Sequence, residues 1–308
     1  MQSAPLYATL AEAPPGGIAR WIETADGVRL RIAHWDHGAK GTVLILPGRT
    51  EFIEKYGRAV GQFRDRDYAS VVIDWRGQGL SDRLAPNRKL GHVGQFTDYQ
   101  RDMTAMLGAL AGTDLPKPYY LCAHSMGGTI GLRAMHSTLP VTRAVFSAPM
   151  WGLTIEPLWR PLVHALAGGS STFGLGEEFA PGTGPENYLA TAGFEDNRLT
   201  SSSETWEYLT RIVKARPGLE IGGPSINWLY QALDETKALQ ALDPPAHEML
   251  CLIGSDEKVV HKSDVISYVE RWKNGHVGIV SGARHEILME TPEIQKRAFD
   301  MMDAFFSG

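Results

Sequence analysis

A serine stands between an apolar run and a run of small residues at Cys122-Ala123-His124-Ser125-Met126-Gly127-Gly128, and this junction constrains the chain more than any other. Before it, Pro118-Tyr119-Tyr120-Leu121-Cys122 reads as a short buried strand; after it, Thr129-Ile130-Gly131-Leu132-Arg133-Ala134-Met135 reads as the start of a helix. A strand that turns sharply into a helix at a serine lifts Oγ clear of its neighbours. It also sets the unpaired N–H groups and positive dipole end of the helix behind that oxygen. Ala123 and Gly127, two residues to either side, are small enough for strand and helix to pack closely, although the usual pattern has glycine at both places. Ser125 is therefore the candidate nucleophile, and Met126 offers the backbone N–H next to it. A serine at such a junction is also a good helix N-cap, so the rest of the chain has to supply an acid and a base.

Both follow in the order acid, then base. Glu248-Met249-Leu250-Cys251-Leu252-Ile253 is an apolar run of strand length closed by Gly254-Ser255-Asp256-Glu257, which puts Asp256 just past a strand end. Glu257 and Asp264 compete with it, and the strand-end position favours Asp256. Gly278-Ile279-Val280-Ser281 is a further strand, followed by His285 on a loop 29 residues after Asp256. That interval holds one helix and one strand, so neighbouring parallel strands present the two side chains together.

Residues 18–36 read as a β-hairpin turning at Asp26-Gly27, and Thr42-Val43-Leu44-Ile45-Leu46 and Ala69-Ser70-Val71-Val72-Ile73 as strands covered on both faces. A helix over 98–111 opens with a capping box of Thr97 and Gln100, and the last helix opens with Thr291 and Pro292. Asp74-Trp75-Arg76-Gly77-Gln78-Gly79 lacks the third glycine of a phosphate loop and reads as a structural turn. The β-α alternation stops over 150–240. That stretch is helical by pattern, with a capping box at Ser201 and Glu204, and is interrupted at Gly168-Gly169, 181–185 and 222–224.

Five segments in order resemble the lysophospholipase and monoacylglycerol-lipase branch of the α/β-hydrolase superfamily. They are Leu46-Pro47-Gly48-Arg49-Thr50-Glu51, Asp74-Trp75-Arg76-Gly77-Gln78-Gly79-Leu80-Ser81, Ala123-His124-Ser125-Met126-Gly127-Gly128, Gly254-Ser255-Asp256 and His285-Glu286-Ile287-Leu288. The resemblance implies an α/β-hydrolase fold: a mostly parallel central sheet with helices on both faces and an inserted helical cap. The core then occupies 1–149 and 241–308, and the cap 150–240. It implies a triad of Ser125, Asp256 and His285, with an oxyanion hole from the backbone N–H groups of Met126 and of Arg49, the residue after Pro47-Gly48 where the family has His-Gly. The expected reaction is hydrolysis of a small carboxylic ester or monoacyl lipid through an acyl-enzyme. A thioesterase or acyltransferase with the same triad is the alternative. No cofactor is expected.

The 43 % hydrophobic and 21 % charged residues among 308 suit a globular protein with a large core. The first 17 residues lack the basic and apolar regions of a secretory signal, no run is long enough to span a membrane, and no basic cluster suggests nucleic acid. No His/Cys/Asp/Glu group has metal-site spacing. Cys122 and Cys251 fall in buried strands too far apart to pair, which with the missing signal points to the cytoplasm. The stretch 150–240 holds six Lys and Arg against eleven Asp and Glu, and so carries the whole net charge of −5. It also holds Trp151, Trp159, Trp206 and Trp228, half of the eight tryptophans, which either line an apolar acyl pocket or pack the cap onto the core.

Overall fold

In a computed structural model that describes residues 1–137, 139–152 and 175–308, the apolar runs become the middle of one nine-stranded sheet. The strands are β1 (Gln2–Ser3), β2 (Ile18–Glu23), β3 (Arg29–Trp35), β4 (Thr42–Leu46), β5 (Ala69–Asp74), β6 (Tyr119–His124), β7 (Arg143–Ser147), β8 (Glu248–Gly254) and β9 (Gly275–Val280). They lie in the order β1-β2-β3-β5-β4-β6-β7-β8-β9. The pairs from β1 through β3 to β5 are antiparallel, and every pair from β5 and β4 to β9 is parallel. Every residue of β4 and β5 is buried, as continuous apolar strands require when helices cover both sides.

The described helices are α1 (Gly57–Arg64), α2 (Tyr99–Leu110), α3 (Met126–Met135), α4 (Tyr188–Thr191), α5 (Ser203–Ala215), α6 (Ile226–Gln240), α7 (Lys262–Glu270) and α8 (Pro292–Ser307). From β4 the chain steps one way to β5 and then returns past β4 to β6. Right-handed crossovers therefore put α1 on one face and α2 and α3 on the other. Contacts agree with this: Phe63 of α1 meets Phe299 of α8 edge-on at 5.0 Å, while Gln100 of α2 donates to the Ile130 carbonyl of α3. The reversal leaves a crevice at the carboxyl ends of β4 and β6, the place where open α/β sheets bind ligands.

Helices α4 to α6 lie between β7 and β8 and pack onto the core. Arg133 of α3 grips Glu235 of α6 through two hydrogen bonds of 2.6 and 2.9 Å. Gly91 donates to the Gly223 carbonyl and accepts from the Ser225 N–H, and the Val93 carbonyl accepts from the Asn227 side chain. Trp159 and the Gly168-Gly169 interruption lie outside the described residues. Among the described residues, no helix is long and apolar enough to cross a membrane.

Two helix starts differ from expectation. The capping box before α2 is Gln95 with Asp98, and α5 is capped by Ser202, whose Oγ accepts from the Thr205 N–H. Ser201 is drawn off by the buried Glu290 carboxylate, which takes both its N–H and its hydroxyl. The Asp74 turn is structural, since its carboxylate collects the N–H groups of Ile53 and Leu80 and the Arg31 guanidinium. Cys122 on β6 and Cys251 on β8 are buried free thiols with β7 between them, and burial pushes Cys122 up to about 12.

Candidate active site

Ser125 sits between β6 and α3 with φ 49° and ψ −116°, a positive-φ conformation that costs a non-glycine residue strain. The turn holds because its main chain is tied down: Ser125 N–H donates to Ser147 O, and Ser125 O accepts from Gly128 and Met150. Close packing of the turn makes position 127 glycine-only, for a Cβ there would stand 2.1 Å from the Leu46 carbonyl oxygen. At 123 the extra methyl is tolerated because the facing helix residue is Gly131; a Cβ there would lie 3.4 Å from the Ala123 Cβ.

His285 lies beside the serine, with Nε2 3.0 Å from Ser125 Oγ. Its Nδ1 is 2.7 Å from a carboxylate oxygen, and that carboxylate belongs to Glu257. Asp256, the acid expected from the strand-end position, is exposed, and its carboxylate accepts from the Ser255 hydroxyl. Asp264 is also elsewhere, paired with His261 at 2.9 Å. The turn after β8 explains the shift. Ser255 N–H donates to Val280 O and Asp256 N–H to Ala283 O, so these two residues form the outer edge of the turn. Glu257 then folds back inward, and its second oxygen accepts from the N–H groups of Val259 and Val260 at 2.5 and 3.1 Å.

A carboxylate can only accept, so the His285 proton sits on Nδ1 and Nε2 is left to receive the serine hydroxyl. Burial disfavours a charged Glu257, but the His285 hydrogen bond and charge, together with the two backbone donors, outweigh it and hold the carboxyl below its ordinary range.

The loop after β4 lies against the nucleophile: a Cβ on Gly48 would stand 3.1 Å from the Ser125 Cβ. Pro47, in the place of the family histidine, accepts from the Trp75 indole through its carbonyl, while Gly48 N–H goes to Glu51 and Thr50 N–H to Gln78. Arg49 N–H lies in sequence between these two fixed groups, and Met126, the residue after Ser125, opens α3.

Behind this loop a buried charge cluster joins it to the histidine loop. The Lys55 ammonium bridges Glu51 and Glu286 at 2.5 and 2.6 Å, and Tyr56 donates to Glu51 at 2.5 Å. His124 Nδ1 faces the Ser147 carbonyl, and its Nε2 faces Glu286 and Glu51 at 3.4 and 3.6 Å. All four charged residues are at most 4 % exposed. Burial opposes charge throughout, but Lys55 and His124 hold Glu286 well below its ordinary range, and the two carboxylates raise Lys55 and His124. Glu51, His124 and Glu286 lie close enough to share a metal ion, yet the Lys55 ammonium already serves as the cation between the carboxylates. The His124 ring lies tilted at 55° against His285, 4.8 Å away, and is a buried partner of it, not a second base at the serine. Lys55→Met leaves two carboxylates buried without their cation, and is expected to cost about 3–5 kcal/mol in urea unfolding. A loss below about 1 kcal/mol, the range of exposed pairs, would show that the cluster carries no strong ion pair.

The described tryptophans divide by position. Trp151 is core: its indole donates to Gly128 O, and its ring stacks on Trp272. Trp206 packs edge-on against Tyr188 within the helical stretch. Trp228 alone of the three reaches the loop after β4, with its indole on Tyr99 OH and its ring 5.3 Å from the Arg49 guanidinium carbon.

Known proteins carry the same architecture. The sequence is similar to lysophospholipase L2 of Escherichia coli K12, 29 % identical over 289 residues that cover 91 % of this chain and 83 % of the relative. It is 25 % identical to a probable lysophospholipase L2 of Haemophilus influenzae over 86 % of this chain and 83 % of that one. Among solved structures, a monoglyceride lipase variant from Saccharomyces cerevisiae superposes with a TM-score of 0.70 at 17 % identity, covering 92 % and 93 % of the two chains. A carboxyl esterase from Bacillus coagulans gives 0.72 at 14 %, covering 96 % and 99 %. The model of the serine aminopeptidase S33 family matches residues 37–292 and so spans the elbow, the acid turn and the histidine loop. The chain is a member of this family of α/β-hydrolases.

Proposed function

We propose that the protein hydrolyses carboxylic esters of monoacyl lipids through an acyl-enzyme on Ser125, with Glu257 as the acid of the triad. The observation that carries this reading is the unbroken line of hydrogen bonds from Ser125 Oγ through the His285 ring to Glu257. In the reaction Oγ attacks the ester carbonyl while Nε2 takes its proton, and Glu257 stabilises the resulting imidazolium. The backbone N–H groups of Met126 and Arg49 receive the oxyanion, at about 3 kcal/mol per donor. His285 then protonates the departing alcohol, and a water attacks the acyl-enzyme by the same steps in reverse. The helices between β7 and β8 serve as the cap over the acyl chain. Relatives named as lysophospholipases support a monoacyl lipid as the substrate, and two buried free thiols suit a reducing compartment such as the cytoplasm.

A fluorophosphonate probe is expected to label the protein once, on Ser125, and the label is expected to block turnover of p-nitrophenyl esters, monoacylglycerols and lysophospholipids alike. Labelling at Ser147 or Ser255 would overturn the assignment. Faster turnover of acyl-CoA than of any ester would favour the thioesterase alternative.

A further inference from the structure

Arg49 brings to the edge of the site a cation that has no carboxylate partner among the described residues. Its Nη1 donates to the Gly222 carbonyl at 3.0 Å, and the guanidinium lies over the Trp228 ring. A Cβ on Gly91 would stand 2.8 Å from that nitrogen, so the group is enclosed by residues 91, 222 and 228. Arg31 and Arg76, the fully buried arginines, and the partly buried Arg133 each lie against at least one carboxylate, whereas Arg83, partly buried like Arg49, spends its donors on three main-chain carbonyls. Among the described residues Arg49 forms no ion pair. Burial pulls its pKa down to about 10, and only Tyr99 opposes the shift.

A guanidinium offers five N–H donors in a planar fork, and among the described residues Gly222 engages one of the five. Keeping a desolvated cation unpaired is costly, and the fork geometry matches a phosphate or carboxylate through two parallel bonds. Position matters equally. Arg49 follows Gly48, which touches the nucleophile, so its side chain starts at the oxyanion loop and ends on the cap. In a lysophospholipid the ester carbonyl and the phosphorus are separated by a glycerol backbone spanning about 7 Å, comparable to the reach of an arginine side chain.

We propose that Arg49 forms a head-group subsite, its guanidinium holding the phosphodiester of a lysophospholipid whose acyl ester lies at Ser125. This proposal rests on the ester-hydrolase reading above. Trp228 and the Gly222 carbonyl orient the fork, and the phosphate supplies the missing negative charge. A monoacylglycerol presents only a hydroxyl at the same place and gains nothing from the cation.

The test is the ratio of kcat/KM for 1-decanoyl-lysophosphatidylcholine to that for 1-decanoylglycerol, both kept monomeric. Arg49→Gln is expected to lower this ratio about 30-fold, mostly through KM for the phospholipid, as loss of a charge-assisted pair of hydrogen bonds predicts. Arg49→Lys keeps the charge without the fork and is expected to fall between the two. An unchanged ratio, with both substrates losing equally, would overturn the proposal and leave Arg49 as a brace between cap and core. Inorganic phosphate is expected to inhibit weakly or not at all; strong competition by phosphate alone would replace the lipid head group with a general anion site. Failure of the unmodified protein to cleave either ester would refute the underlying ester-hydrolase reading, an outcome separate from an unchanged ratio.

Discussion

Glu257→Gln is expected to lower kcat about 10⁴-fold, the loss seen when the orienting carboxylate of a triad becomes an amide, while Asp256→Asn stays near the wild-type rate. The glutamine keeps the shape of the side chain but can turn its NH₂ toward His285 Nδ1. That removes the proton from Nδ1, moves it to Nε2, and leaves the imidazole facing Ser125 with a donor where the reaction needs an acceptor. Substrate binding is not expected to suffer equally, because among the described residues the Glu257 carboxylate is hydrogen-bonded to His285 and to the Val259 and Val260 N–H groups. With its carboxyl below the ordinary range, Glu257 is ionised at neutral pH, and its contribution to stability is lost only as pH falls through that lowered value. Steady-state kinetics of the two variants on one soluble ester decide the matter. Activity retained in Glu257→Gln and lost in Asp256→Asn would return the acid to the turn edge.

Ser125→Ala is expected to lower kcat by about 10⁶-fold, and adding Glu257→Gln to it should cost nothing further. The three side chains act in one proton path, so once the nucleophile is gone the orientation of the imidazole has nothing to act on. The residual rate belongs to the oxyanion donors and to binding, both of which survive in the double variant. Single-turnover assays should therefore find no acyl-enzyme burst in either variant and equal slow turnover in both. An additive loss in the double variant would mean that Glu257 supports catalysis by a route independent of Ser125.

The elbow was legible in the sequence because its constraints are local: a strand, a small residue, a serine and a helix follow one another without interruption from Tyr119 to Met135. His285 was legible for a similar reason, as a loop residue between the last strand and the well-marked final helix. The acid was not. Whether 256 or 257 points inward depends on main-chain bonds from Ser255 and Asp256 to Val280 and Ala283, some 25 residues away, which no local pattern encodes. A usable signal was the apolar pair Val259-Val260, whose N–H groups favour a carboxylate two and three residues earlier. The start of α5 shows the same limit: Ser201 and Ser202 look alike in sequence, and Glu290 from the other end of the chain decides between them. Counting tryptophans located an aromatic segment but gave no direction, and only Trp228 of those described meets the loop beside the serine.

In the proposed mechanism the parallel strands β4, β6 and β8 and the loop after β9 deliver the nucleophile, its base, its acid and both backbone donors to one rim, and Lys55 ties two of those loops together. Among the described residues, none of the groups assigned to that reaction comes from between β7 and β8. In that reading the chemistry and the choice of substrate are inherited separately along this chain. A descendant could exchange its lid and keep its reaction. The guanidinium of Arg49, rooted in the loop after β4 but held by Gly222 and Trp228 of the stretch between β7 and β8, is the place where such an exchange would be felt first.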